Sequence, residues 1–255
     1  MNRWTALLLA GSRPGGDPLA RSMMLGHKAL IPVGGEPMVL RPLRTLLASS
    51  EVSDIIVLTQ NPEDLRPVLP DDPRISIRAS RGTIAATIAE LIGAHAASFP
   101  VLVTTADHAL LDPAMIAEFT AKAAGADLAI GVVERRAMIA RFPQAKRTWL
   151  SFRGGSYSGA NLFAFGSSRV LPAIEHWRSV EQERKKGWRV LAAIGPALLL
   201  GAVLRMRTLD QSVASVGRKL GLSIRAVEMT DPVAAIDVDK PEDHALVEEI
   251  LAARA

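Results

Sequence analysis

The segment that decides the fold runs from Leu7 to Leu30 and reads L-L-L-A-G-S-R-P-G-G-D-P-L-A-R-S-M-M-L-G-H-K-A-L. An apolar run from Trp4 to Leu9 stops at Ala10 and Gly11, and a glycine-rich, basic stretch follows it. A buried parallel strand that ends in such a loop exposes a row of backbone N–H groups, which can bind phosphate oxygens. Glycine lets the backbone approach a ligand closely. The pattern indicates a nucleotide-binding loop.

Three basic side chains of this segment, Arg13, Arg21 and Lys28, supply the positive charge that a triphosphate requires. The loop contains neither G-x-x-x-x-G-K-S/T nor G-x-G-x-x-G. Taken alone, a Gly/Pro loop after a first strand is more often an ordinary connection than a phosphate site. A phosphate-binding role therefore needs support from other parts of the chain.

The composition is that of an α/β protein with a large aliphatic core. A chain of 255 residues suits one large α/β domain or two small ones, and 49% apolar residues can fill its core. Since only 4% of the residues are aromatic, Ala, Leu, Val and Ile must build that core.

The charge and the cysteine content restrict the partners and the compartment. A net charge of +4 favours a polyanionic ligand, but the 26 acidic residues are interspersed, so we expect no nucleic-acid surface. The absence of cysteine excludes disulfides and thiolate metal sites. The N-terminus has the pattern of a first strand rather than of a signal peptide, and we expect a cytoplasmic protein.

One apolar segment, residues 190–204, is uncharged over its length and has basic residues on both sides. It is shorter than the roughly 20 residues that span a bilayer, and Gly195-Pro196 interrupts it. We expect two short buried helices here. The alternative is a peripheral contact with an anionic membrane surface through residues 184–207, because such surfaces attract basic flanks.

Short apolar runs alternate with helical patterns in the first half of the chain. Predicted strands cover residues 6–9, 55–58, 75–78, 101–104 and 128–133, and predicted helices cover 38–47, 83–97 and 113–124. Asp112 followed by Pro113 is a good start for the last of these helices. The alternation predicts an α/β fold with a doubly wound, mostly parallel sheet, which binds ligands at the carboxyl ends of its strands.

The second half of the chain is less regular. We predict paired strands at 148–152 and 161–165 around a turn at 154–156, helices at 167–185, 208–220 and 241–253, and a strand at 224–227. No repeat and no flexible linker divides the chain. We therefore expect one domain over residues 1–255, with residues 134–220 forming a lid or an acceptor-side elaboration.

Asp107 follows the predicted strand 101–104 directly and so lies at a carboxyl end. A carboxylate there is suited to Mg²⁺, which takes one or two protein carboxylates together with phosphate oxygens. The alternative is that Asp107 only caps a turn. We interpret the adjacent His108 as a loop residue without a catalytic role.

A second acidic group follows Ile236 in the segment I-D-V-D-K-P-E-D. Glu242 and Asp243 fall in the first turn of the helix that Pro241 starts, where the helix dipole favours acids. Asp237 and Asp239 have no such explanation, because two neighbouring acids on one side of a strand repel each other unless a cation or a donor lies between them.

Taken together, five motifs resemble those of the MobA-like nucleotidyltransferases. They are L-L-A-G with its basic glycine loop, H-K-A-L-I-P-V-G-G-E-P-M, T-T-A-D-H-A-L-L, G-A-N-L-F-A-F and A-I-D-V-D-K-P-E-D, and they span nearly the whole chain. The resemblance implies a Rossmann-like nucleotidyltransferase fold. It also implies transfer of a nucleoside monophosphate from an NTP to a phosphorylated small molecule or lipid head group. CTP and GTP are the first candidates for the NTP.

The resemblance also assigns roles to individual residues. Lys28 matches the lysine that holds the triphosphate, Asp107 the first metal-binding aspartate and Asp239 the second, with Asp237 as its substitute. Nucleotide contacts are implied for Ala10, Gly11, Ser12, either Arg13 or Arg21, and the base-reading segment Arg81, Gly82, Thr83. Asn161 falls where relatives contact the acceptor, and Mg²⁺ is the implied cofactor.

Two other functions are compatible with the sequence. The segment Asp237-Val238-Asp239 is also the D-x-D of a glycosyltransferase that uses a nucleotide-sugar, although it stands next to the C-terminal helix rather than mid-chain. The irregular loop after Gly11 also suits a non-catalytic relative that binds nucleotide.

Overall fold

The apolar runs of the sequence form the strands of one twisted sheet. The computed structural model describes residues 3–12, 15–80, 84–94, 97–175 and 207–254. The strands of these residues are β1 (Trp4–Leu9), β2 (Pro32–Val33), β3 (Glu36–Pro37), β4 (Val52–Thr59), β5 (Ile75–Ala79), β6 (Val101–Thr105), β7 (Leu128–Glu134), β8 (Leu150–Phe152), β9 (Gly155–Phe165) and β10 (Ile224–Glu228).

Helices connect the strands. Within the described residues they are α1 (Pro18–Ser22), α2 (Leu40–Ala48), α3 (Pro62–Leu65), α4 (Ile84–Gly93), α5 (Pro113–Ala123), α6 (Arg135–Arg141), α7 (Leu209–Leu220) and α8 (Pro241–Ala252). Short 3-10 turns lie at Lys28–Leu30, Ser168–Val170 and Pro232–Ala235. None of the helices in these parts of the chain is long and apolar enough to cross a bilayer.

The main sheet has the order β10-β7-β9-β6-β1-β4-β5, with β8 paired to β9 outside this path, and β2 and β3 form a separate hairpin. Strands β10, β7, β6, β1, β4 and β5 run in one direction, and β9 runs antiparallel between β6 and β7. The predicted doubly wound, mostly parallel α/β fold is confirmed.

Apolar side chains are buried on both faces of the sheet. In β1, Ala6 and Leu8 point into the larger core cluster and Leu7 into the smaller one on the other face. Successive side chains of a strand alternate between the faces, so a strand that is covered on both sides needs apolar residues throughout. This burial explains why the predicted strands lack polar alternation.

The second half of the chain contributes a central strand. The prediction placed a short strand at 161–165 within a lid or elaboration of residues 134–220, whereas β9 extends over eleven residues and inserts between β6 and β7. Its first half, G-S-Y-S-G, is small and polar, so the apolar pattern begins only at Ala160. Of the predicted helix 167–185, residues 171–175 are helical, and the remainder, like the apolar segment 190–204, lies outside the described residues.

Helix ends follow the predicted local rules. The Asp112 carboxylate accepts from the backbone N–H of Met115 and caps α5. Thr208 and Gln211 form a capping box at the start of α7, and Gly221, with φ of 66°, ends that helix in the left-handed region. These helix ends could be predicted from the sequence because each capping interaction joins residues only a few positions apart.

The end of β9 generates a first prediction. A Cβ atom on Gly166 would lie 2.1 Å from the backbone oxygen of Ala126, where β9 passes the start of β7. Gly166→Ala should therefore lower the free energy of unfolding by about 2–3 kcal/mol, because the backbone must shift. Chemical denaturation measures this difference.

Gly159→Ala within β9 is the control, since a Cβ there meets nothing within 4 Å, whereas Gly166 directly follows the strand. It should leave stability unchanged or slightly raised, because alanine loses less backbone entropy than glycine on folding. Equal stability of the two variants would contradict the close approach of β9 to Ala126.

Candidate nucleotide-binding and metal-binding site

Three charged side chains from distant parts of the chain meet at the carboxyl edge of the sheet. The Lys28 ammonium lies 2.6 Å from Asp107 Oδ2 and 2.5 Å from Asp239 Oδ1. Lys28 opens the 3-10 turn after the glycine loop, Asp107 follows β6, and Asp239 precedes α8. The parallel strands bring these segments together because their carboxyl ends share one edge.

Lys28 remains a cation at this position. Burial on its own would lower the pKa of the Lys28 ammonium, but the charges and hydrogen bonds of Asp107 and Asp239 outweigh burial and raise that pKa. The side chain of Lys28 is 11% exposed, and those of Asp107 and Asp239 are 19% and 37% exposed. The two carboxylates are therefore more exposed than the lysine and are accessible to a ligand.

The backbone on both sides of Asp107 is fixed. Ala106 donates its N–H to the Leu9 carbonyl, and Val238 donates its N–H to the carbonyl of Asp107 itself. The Thr105 hydroxyl donates to Asp107 Oδ1 at 2.5 Å. These bonds turn the second oxygen of Asp107 towards Lys28.

Asp239 is held by the first turn of α8. The Asp243 carboxylate accepts from the backbone N–H groups of Asp239 at 3.3 Å and of Lys240 at 3.0 Å. Burial raises the pKa of Asp243, with a contribution from the nearby Asp237 charge. Asp243 thus lies in the first turn of the helix, as the sequence predicts. Its bond to the backbone N–H of Asp239 fixes the position of that residue.

The glycine loop is attached to the end of β4. The backbone N–H of Ala10 donates to the carbonyl of Leu58. The backbone N–H of Ser12 donates to Gln60 Oε1 at 2.8 Å. The Ser12 hydroxyl accepts from the Lys28 N–H at 3.4 Å. A Cβ on Gly11 would lie 2.8 Å from Gln60 Nε2. The Gln60 amide therefore fits here only because residue 11 has no side chain.

Asp237 has partners of its own. The Arg147 guanidinium forms a two-point ion pair with its carboxylate, and Asn161 Nδ2 donates to Oδ2 at 2.9 Å. Burial would raise the pKa of Asp237, but Arg147, Asn161 and Lys28 lower it. Asn161 adopts φ of 48°, next to the irregularity in the β7–β9 register, which turns its amide towards Asp237.

His108 lies in the loop after β6, as the sequence predicts, and its side chain is buried there. It is fully buried, and its Nδ1 lies 3.3 Å from the Thr104 hydroxyl. Burial lowers the pKa of His108 to about 4. The imidazole is therefore neutral at pH 7 and adds no charge beneath the carboxylates.

The donor set of Asp107 and Asp239 fits a hard divalent cation. Both residues present carboxylate oxygens, and both oxygens already surround one positive charge, the Lys28 ammonium. Among the described residues, no group of three or more His, Asp or Glu side chains is arranged to hold a metal ion. Mg²⁺ typically uses one or two protein carboxylates and completes its shell with water and phosphate oxygens, so two are sufficient.

The structure brings together most of the residues that the resemblance selects. Lys28, Asp107 and Asp239 are in contact, Ser12 bonds to Lys28, and Asp237 bonds to Asn161. Arg21 lies exposed on α1. Arg13 and the base-reading segment 81–83 lie outside the described residues.

Sequence patterns missed Arg147 and Gln60. Arg147 lies in an irregular stretch after α6, in the segment Q-A-K-R-T, and pairs across 90 residues with Asp237. Gln60 is the first residue after β4, and this position at a carboxyl end is the only signal that points to it.

Comparisons with known proteins identify the family and the fold. The profile of the MobA-like NTP transferase domain matches residues 6–198. The structure of a hypothetical transferase from Thermus thermophilus has a TM-score of 0.81 and 29% identity, and the match covers 95% of this chain and 100% of that one. None of the curated proteins matches the sequence.

Two more distant structures share the fold. CMP:2-keto-3-deoxy-manno-octonic acid synthetase, complexed with CTP, has a TM-score of 0.62 and 13% identity, over 100% of both chains. The 4-diphosphocytidyl-2C-methyl-D-erythritol synthase of Anaerococcus prevotii has a TM-score of 0.59 and 11% identity, over 98% of this chain and 96% of the other.

The contact between the glycine loop and β4 generates a second prediction. Gly11→Ala should displace the Gln60 amide and break its bond to Ser12, and Gln60→Ala should remove the same bond. Each change should cost about 1 kcal/mol of stability. The double variant should also cost about 1 kcal/mol, because both changes remove one interaction. Denaturation midpoints of the four proteins measure this, and additive losses would argue against the coupling.

The ion pair of Arg147 with Asp237 generates a third prediction. Arg147→Ala leaves the Asp237 carboxylate, which is only 14% exposed, without its cation and should cost about 3 kcal/mol in urea unfolding. Adding Asp237→Asn to that variant removes the uncompensated charge, and the double variant should recover part of the loss. If the double variant unfolds as easily as Arg147→Ala, the carboxylate charge is not the cause.

Proposed function

Because the chain belongs to the MobA-like NTP transferase family, we propose that it transfers a nucleoside monophosphate from an NTP to a phosphorylated acceptor and releases pyrophosphate. The observation that carries the proposal is the convergence of Lys28, Asp107 and Asp239 beside the glycine loop. The lysine ammonium and the two carboxylates, which are suited to Mg²⁺, lie at the edge where a parallel sheet binds its ligands.

The proposed reaction is a direct in-line displacement. An oxygen of the acceptor phosphate attacks the α-phosphorus of the NTP, a new P–O bond forms, and the bond from the α-phosphorus to the β-bridging oxygen breaks. Pyrophosphate leaves with that electron pair. A phosphate monoester is largely a dianion at neutral pH, so the attack requires no general base. The protein has to align the two reactants and neutralise their charges.

The residues of the site suit these tasks. The charged ammonium of Lys28 would offset the negative charge of the triphosphate, and the backbone N–H of Lys28 is bonded to Ser12 of the loop at the end of β1. Asp107 and Asp239 would hold Mg²⁺. When bound, that ion supplies Lewis-acid stabilisation of the charge on the phosphate oxygens.

A cavity of about 630 Å³, whose lining does not include Lys28, Asp107 or Asp239, is our candidate for binding the part of the acceptor that is distant from the reacting phosphate. It lies at the carboxyl end of β7, between α6 and the β8–β9 hairpin, and Arg135, Arg136, Ser151 and Ser156 contribute to its lining. Arginine and hydroxyl groups are suited to a phosphorylated, hydroxyl-bearing molecule. We assign this part of residues 134–220 to the acceptor side, as the sequence predicts.

CTP is the first nucleotide to test, followed by GTP. The two distant structures carry names that refer to CTP or to a cytidyl product, although their low identity shows a common fold alone. The acceptor class remains a phosphorylated small molecule or a lipid head group. Peripheral membrane contact through 184–207 concerns a segment of which the structure describes only Arg207.

The glycosyltransferase alternative is less well supported. It needs both carboxylates of the D-x-D segment for the metal-bound nucleotide-sugar. Asp237 is already bonded to Arg147 and Asn161, and only Asp239 of the pair contacts Lys28. This division of roles favours the nucleotidyltransferase.

The proposed function generates a fourth prediction. Asp107→Asn and Asp239→Asn should each lower kcat/KM for Mg²⁺-dependent pyrophosphate release by at least about 100-fold. The neutral amide binds Mg²⁺ more weakly than a carboxylate and does not offset the charge of the ion. A thermal-shift screen of ATP, CTP, GTP and UTP with Mg²⁺ selects the nucleotide. A pyrophosphate assay with pooled sugar, alcohol and pterin phosphates then selects the acceptor.

Asp72→Asn is the control, since Asp72 pairs with Arg74 before β5, at the opposite edge of the sheet. It should keep full activity. Unchanged turnover in Asp107→Asn would refute the metal role. A nucleotide that binds but is never converted with any acceptor would instead favour a non-catalytic relative.

A further inference from the structure

His27, the residue before Lys28, is buried and makes a contact with each ring nitrogen. It is 5% exposed. Its Nδ1 accepts from the backbone N–H of Ala29 at 3.1 Å, and its Nε2 lies 3.1 Å from the Thr59 hydroxyl. One imidazole therefore links the start of the Lys28 turn to the end of β4.

These two contacts define the tautomer. A backbone N–H can only donate, so the Nδ1 that accepts from Ala29 carries no proton. A neutral imidazole has one N–H, which must then be at Nε2, and this group donates to Thr59 Oγ1. Burial lowers the pKa of His27, which is consistent with a neutral ring.

We propose that His27 is a positioning residue for Lys28, acting as its Nε2–H tautomer; this inference rests on the proposed function of the Lys28 site. The Nδ1 atom caps the 3-10 turn Lys28–Leu30 in the way that an Asn or Asp side chain caps a helix. The turn sets the backbone of Lys28, and hence the direction in which its ammonium extends towards Asp107 and Asp239.

The bond to Thr59 connects this turn to the rest of the loop. Thr59 is the last residue of β4, and Gln60 next to it accepts from Ser12 at the other side of the loop. Ser12 in turn accepts from the N–H of Lys28. The end of β4 therefore holds both ends of the loop around the position that the triphosphate would take.

Two isosteric variants separate the functions of the two nitrogens. His27→Asn keeps an oxygen near Nδ1, which can accept from Ala29, but loses the reach to Thr59. His27→Gln keeps an N–H donor near Nε2, which can reach Thr59, but is too long to cap. We expect His27→Asn to stay within about 3-fold of the wild type in kcat/KM and in NTP affinity, and His27→Gln to lose at least 10-fold.

Lys28 can be monitored without any enzymatic turnover. Its buried, ion-paired amine should be protected from sulfosuccinimidyl acetate in the wild type and in His27→Asn, as judged by mass spectrometry of the Lys28 peptide. In His27→Gln, we expect acetylation of Lys28 to be at least 5-fold faster, with the other lysines unchanged. Equal protection of Lys28 in both variants would overturn the positioning role.

The tautomer itself is observable in the wild-type protein. A long-range ¹H–¹⁵N correlation spectrum distinguishes Nε2–H from Nδ1–H, and the spectrum of His27→Asn assigns the signals. A Nδ1–H tautomer at His27 would overturn the inference even if nucleotidyl transfer is found. A Nε2–H tautomer together with selective exposure of Lys28 in His27→Gln would support it even if no acceptor is identified.

Discussion

One shared charge holds the candidate site together: the Lys28 ammonium between Asp107 and Asp239. The two carboxylates lie 79 and 211 residues from Lys28 in the chain, and each comes from a different segment at the same edge of the sheet. Without a cation between them, two carboxylates that both lie within hydrogen-bond distance of one ammonium would repel each other. The lysine offsets that repulsion. The two carboxylates are suited to Mg²⁺, and the ammonium is suited to a triphosphate.

A second ion pair keeps a third carboxylate out of this arrangement. Arg147 and Asn161 engage Asp237, which stands two residues before Asp239 and would otherwise add a further negative charge to the site. The buried His108 is neutral and leaves this balance unchanged. Thus the neighbouring aspartates of one D-V-D segment have different partners, and Asp239 alone of the two faces Lys28.

The sheet supplies the rigid frame for these contacts. Strand β1 ends at the glycine loop, β6 at Asp107 and β4 at Thr59 and Gln60, and these three strands are direct neighbours. Gln60 and Thr59 contact the two ends of the loop that β1 starts. The described ends of this loop are therefore fixed, because Ser12 at one end and His27 at the other both bond to residues at the end of β4.

The sequence by itself determined the parallel strands, the helix starts at Asp112 and Thr208, and the choice of Lys28, Asp107 and Asp239 as one set. Apolar runs and capping residues act over a few positions, and the family motifs carry the site residues directly. Only the tertiary structure decided that β9 enters the sheet between β6 and β7, that Arg147 pairs with Asp237, and that Gln60 holds Ser12. These features join residues that are far apart in the chain, and no local pattern encodes which distant partner a strand or a side chain meets when the core packs.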